Sequence, residues 1–171
     1  MFRAVPALIL SLIVGVPTAM SARAAWVGPV IQVELDRIVS RVNGRMITES
    51  DVRRARALKL VDDTGSDQAA QHALEDRFLI LAELGRGAAV PPPSDADVAA
   101  HRAAWASSLG GDVASALSRA GMSENDLQGW LRDDLRIRAY LARQFGGLSD
   151  TDRARATGEW LARLRQRADP R

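Results

Sequence analysis

The chain has no cysteine, which excludes disulfides, thiol nucleophiles and thiolate metal sites. It has almost no lysine: Lys59 stands alone among 23 basic residues, the rest being arginines. It has two histidines, His72 and His101, in different predicted helices and without ligand spacing, so a histidine metal site has no basis in the pattern. Aromatic residues make up only 5% of 171 positions, and a core this poor in rings needs its tryptophans. Nor is there a real excess of charge. The formal balance is +2, but Arg3 and Arg23 lie in a segment expected to be removed. Without them the 23 basic residues become 21, equal to the 21 acidic ones. A neutral chain lacks the concentrated basic surface that nucleic acid binding requires, so no nucleic acid partner is expected.

Long hydrophobic runs are also missing, with one exception. The stretch AVPALILSLIVGVPTAM, residues 4–20, follows a basic Arg3 and precedes Ala22-Arg23-Ala24. That is the layout of a secretory signal: positive start, apolar centre, small-x-small cleavage site after Ala24 or Ala25. The run is broken by Pro6, Gly15 and Pro17 and falls short of the roughly 20 residues a spanning helix needs. The expected organisation is a signal peptide over 1–24, a lead-in over 25–35 and a helical domain over 36–171. The expected location is the periplasm, without stable membrane insertion after cleavage; an uncleaved N-terminal anchor is the alternative.

What is present is a repeated helical grammar. Asp36 to Val42 reads as a strand, with Ile38 and Val42 on one side and Val39 on the other. Asn43-Gly44 is a turn signal, and Met46 and Ile47 pair back across it. Thr48 with Asp51 then starts a helix over about 49–61. Leu74, Phe78 and Leu81 mark a second, strongly apolar helix ending near Gly85. Three prolines at 91–93 force a linker. Ser94 with Asp97 starts a third helix carrying Val98, Trp105 and Leu109. A short helix follows. Ser123 with Asp126 starts the longest, over 124–145, and Ser149 with Asp152 starts the last. The fold class is therefore mainly α, with a short N-terminal strand or hairpin.

In the long helix Leu127, Trp130, Leu131, Leu135, Ile137, Leu141 and Phe145 share an arc of about 160°, so it should be central. Asp134 and Arg138 fall in the same arc, four residues apart. They read first as an exposed intrahelical ion pair and second as a polar pair on a groove floor.

Three blocks resemble the SurA-type periplasmic chaperones. The first is Val42-Asn43-Gly44 leading through Ile47-Thr48 to Asp51. The second is VPPPSDADVAAH, residues 90–101. The third is the long helix from Gly121-Met122-Ser123 to Phe145-Gly146. The resemblance implies a SurA N-terminal domain, trigger-factor peptide-binding-like in kind, and a chaperone that binds unfolded or extended polypeptides. The prolyl-isomerase domain of longer relatives has no counterpart after Gly147. Relatives often end in a strand that pairs with the first; this chain ends in RADPR.

Catalysis finds little support. No G-x-S-x-G occurs, no serine has a histidine partner nearby, and no glycine-rich loop follows a strand. The expected protein is not an enzyme and carries no cofactor or metal. Candidate peptide-binding residues are Met46, Trp105, Met122 and Trp130, large side chains near breaks, with the methionines suited to promiscuous surfaces. The first reading of all four is nevertheless core packing, with the groove as the second. Two other functions stay open: an adaptor subunit that binds one folded partner, or the binding half of a split prolyl isomerase.

Overall fold

The computed structural model describes residues 36–62, 65–87 and 90–168. The segments expected to form a signal peptide and a lead-in lie outside these residues. The order is β1 (Ile38–Val42), β2 (Arg45–Thr48), α1 (Glu49–Ala57), α2 (Asp67–Leu84), α3 (Asp95–Leu109), α4 (Val113–Ala120), α5 (Glu124–Phe145) and α6 (Asp150–Ala168). The domain is mainly helical with an antiparallel hairpin at its start. Among the described residues no helix is long and apolar enough to cross a membrane.

The hairpin turns on Asn43 and Gly44, at φ 48° and 81°. Both are left-handed, as a two-residue turn between twisted strands requires. Arg41 pairs with Met46 and Val42 with Arg45. The expected alternation fails at the start of β1. A register shift between Ile38 and Ser40 adds a residue to this strand. It inverts the faces of what precedes it. Ile38 is exposed, whereas Val39 packs against the core together with buried Val42.

Each helix start is locally specified. Thr48, Ser94 and Ser123 form reciprocal capping boxes with Asp51, Asp97 and Asp126. The Ser149 hydroxyl accepts from the Asp152 amide and donates to its carboxylate. Helix α1 ends four residues earlier than the pattern predicts. Lys59 takes a left-handed conformation at φ 49°. Its amide reaches back to the Arg56 carbonyl while that of Leu60 reaches the Ala55 carbonyl. This is a Schellman closure made without glycine, so nothing in the residue types announces it.

Two apolar clusters hold the domain. The larger joins the hairpin, α1, α2, the C-terminal half of α5 and α6, through Ile47, Val52, Leu74, Phe78, Ile137 and Trp160. The smaller joins the end of α1 to α3, α4 and the N-terminal half of α5, through Leu58, Val98, Trp105, Leu117, Leu127 and Leu131. Helix α5 belongs to both and packs on α2, α3 and α6, the central position its wide apolar arc requires. Arg165 of α6 forks onto Asp76 of α2, with Nε 2.9 Å from Oδ1.

Candidate functional site

Two cavities flank the contact of α2 with α5. The first, about 520 Å³, lies between the loop after α1, α2, α3 and α5. The second, about 460 Å³, lies between β2, α1, α2 and the first turns of α5. Leu60, Arg77 and Trp130 line both and form their shared wall.

Arg77 is the centre of that wall. It sits on the buried stripe of α2, three residues after Leu74 and three before Ile80, and is 7% exposed. Its guanidinium carbon lies 3.9 Å from the centroid of the Trp130 ring, within cation–π range. Nη2 donates to the Trp130 carbonyl at 2.7 Å, and Nη1 lies 3.5 Å from Asp134 Oδ1. Burial brings the Arg77 pKa down to about 10, with the charges of Asp134 and Asp133 opposing that fall. A buried guanidinium is tolerated because a ring, a carbonyl and a carboxylate together replace its water.

Asp134 serves more than one partner. Its Oδ2 lies 2.8 Å from His101 Nε2 and 3.0 Å from Arg138 Nη2. The pair Asp134–Arg138 is therefore not a simple exposed intrahelical bridge. It belongs to a cluster that ties α2, α3 and α5 together on the wall of the first cavity. His101 has a side chain only 14% exposed and lies on the α3 stripe between Val98 and Trp105. His72 is exposed and contacts Glu75.

The four sequence candidates separate. Met46, Met122 and Trp130 line the second cavity together, with Phe78 beside them and Arg45 stacked over the Phe78 ring. Met46 is half exposed and Met122 and Trp130 are half-buried. Trp105 is a core residue, 7% exposed, on the wall of the first cavity, with its indole N–H on the Leu58 carbonyl at 2.8 Å.

Sequence reasoning overlooked Arg77 and undervalued His101. The signal was present: each is a charged or ionisable residue on an otherwise apolar helical stripe, a position that demands a partner. Among the described residues no three His, Asp or Glu side chains gather as metal ligands. Asp76, half-buried on α2, has its pKa raised by burial against the opposing pull of Arg165. No protein-family model, curated protein or solved structure matches the chain.

Proposed function

We propose that this chain is an exported, periplasmic chaperone-like protein that binds unfolded or extended polypeptide segments without catalysing a reaction on them. The observation that carries this reading is the pair of adjoining cavities with their shared Arg77–Trp130 wall. One cavity offers Met46, Met122, Phe78 and Trp130 to a ligand. Flexible thioethers and rings accept many side-chain shapes, and charged residues at the same rim give the peptide backbone polar partners. Each ordered peptide residue offsets part of the gain, so affinity is expected in the micromolar range, roughly. The SurA-like blocks support the same reading, because the first and third supply β2 and the α5 start, which border this cavity.

The test is light scattering from a denatured outer-membrane protein diluted with and without the purified chain. Suppressed aggregation across several unrelated clients supports the proposal. Unchanged scattering, or suppression of one client only at a fixed stoichiometry, rejects it in favour of an adaptor. The same preparation should not accelerate prolyl isomerisation in a model peptide; turnover above the uncatalysed rate would refute the non-enzyme reading. Mass spectrometry of protein exported from a Gram-negative host should find Ala25 or Trp26 as the first residue. A membrane-bound product that retains Met1 would mean an anchor instead.

A further inference from the structure

Two glycines stand inside helices where neither the backbone nor the packing requires them. Gly129 lies in α5 and Gly158 in α6. Glycine is the poorest helix former after proline, because fixing it costs the most backbone freedom. Neither position has a left-handed φ, unlike Gly110 and Gly121 at the helix ends. A Cβ added at either would meet no neighbour within 4 Å, apart from the flanking residues and the helix's own backbone. The two differ in what they face. Gly158 lines neither cavity, whereas Gly129 lines the second. Asp126, Gly129 and Asp133 fall on one face of α5, three and four residues apart. Helix α5 therefore presents exposed, bare backbone between two side chains at the edge of that cavity.

The charges lining the second cavity are matched. Arg45, Arg54 and Arg77 stand against Asp51, Asp126 and Asp133. Arg54 bridges to Asp51, and Asp133 pairs with Arg136. Asp126 closes the Ser123 cap. Arg45 stacks on Phe78 and Arg77 on Trp130. A charged side chain entering here would give up its water and break one of these contacts, so the occupant is uncharged. Met46 and Met122 come to the same cavity from different elements, and a thioether sulfur makes favourable contacts with aromatic rings. We infer that Gly129 is the point at which an extended peptide crosses α5, and that one uncharged aromatic side chain of that peptide enters the second cavity against Met46 and Met122. The missing side chain at Gly129 lets the peptide backbone lie closer to the helix than any other residue would allow. This inference rests on the peptide-binding reading above and names the residue that sets the clearance.

The test is fluorescence anisotropy with the full chain and an N-terminally labelled, aromatic-rich peptide, prepared with its rings, with leucine in their place and with glutamate in their place. The aromatic form should bind about threefold or more tighter than the leucine form, and the glutamate form weakest. Gly129→Leu should weaken binding of the aromatic form about tenfold or more, and Gly158→Leu should leave it unchanged. The melting temperature of both variants should hold or rise, because leucine is the better helix former. Gly129→Ala should raise it by about 1–4 °C while weakening binding about threefold, and decides the matter if the leucine variant melts early. A purely structural glycine would not couple higher stability to weaker binding. Wild-type affinity in a folded Gly129 variant, or an equal loss in Gly158→Leu, overturns the crossing point and leaves the peptide-binding proposal standing. A leucine or glutamate peptide that matches the aromatic one overturns the aromatic occupant. Failure of the unmodified protein to bind any of the three peptides overturns both proposals.

Discussion

Trp105 donates its indole N–H to the carbonyl of Leu58 at 2.8 Å, joining the middle of α3 to the end of α1 across 47 residues. The Leu58 carbonyl lies at a helix end, where no intrahelical donor is left for it. The indole supplies that donor inside an apolar cluster where water is excluded. Trp105→Phe keeps much of the ring and removes the donor. It should lower unfolding free energy by about 1–3 kcal/mol in urea titration, the cost of a buried acceptor left alone. A loss under about 0.5 kcal/mol would show that this bond is replaced by solvent.

Leu131 is 2% exposed in the same cluster, on the face of α5 that meets α3. Leu131→Ala should cost about 2–5 kcal/mol, the transfer term plus the cavity left behind. For a domain of this size that is a large share of the whole stability. Calorimetry or urea titration decides the matter, and a cost below about 1 kcal/mol would contradict the central packing of α5.

Binding and stability should separate at the methionines. Met46 is 50% exposed on the outward face of β2, opposite Arg41, and Met122 is only half-buried. Met46→Ser combined with Met122→Ser should weaken peptide binding about fivefold or more, in line with the loss of about 1 kcal/mol of contact. The melting temperature should fall by only a few degrees. Trp130→Ser is a different case, because it also strips the stack from Arg77; there both readouts should drop. Unchanged affinity in the methionine variant would remove the second cavity from the binding surface.

The capping boxes make an acid-side prediction. Hydrogen bonds from Ser94 hold the Asp97 carboxyl below its usual range, and those from Ser123 do the same for Asp126. A carboxylate with a depressed folded pKa binds its proton less readily than the unfolded chain does. Its stabilisation is therefore present above the unfolded value, near pH 4, and is lost as pH falls through the lower folded value. Asp97→Asn with Asp126→Asn should flatten the fall in urea midpoint between pH 5 and pH 2, about the window these groups span. An acid limb that keeps the wild-type slope would assign acid unfolding to other carboxylates.

Much of this fold was legible because its signals are local. The Asn43-Gly44 turn, the start of each helix at Thr48, Ser94 and Ser123, and the full span of α5 follow from residue types at fixed offsets. The failures have local causes too. Helix α1 stops at Ala57 because Lys59 accepts a left-handed backbone that residue type does not advertise. Ile38 faces solvent because one added residue in β1 flips the strand before it. The candidate site was only partly legible. Large flexible side chains near breaks led to Met46, Met122 and Trp130, which share a cavity, but also to Trp105, which lies in the core. The Arg77–Asp134–His101 cluster joins positions 57 and 33 residues apart, and no spacing rule reaches that far.

The two apolar clusters meet at α1 and α5 and are otherwise built from different helices. Helices α3 and α4 contribute only to the smaller one, and α4 is eight residues long. Such a division sets a hierarchy of opening events within a single chain. Amides of α4 and the outer turns of α3 should exchange with deuterium at a lower free energy than those of α2, because that lobe can detach while the hairpin, α2 and α6 stay assembled. In the detached state the Leu117–Leu127 face would reach solvent for the lifetime of the fluctuation, giving the domain a second, transient apolar surface whose availability rises with temperature.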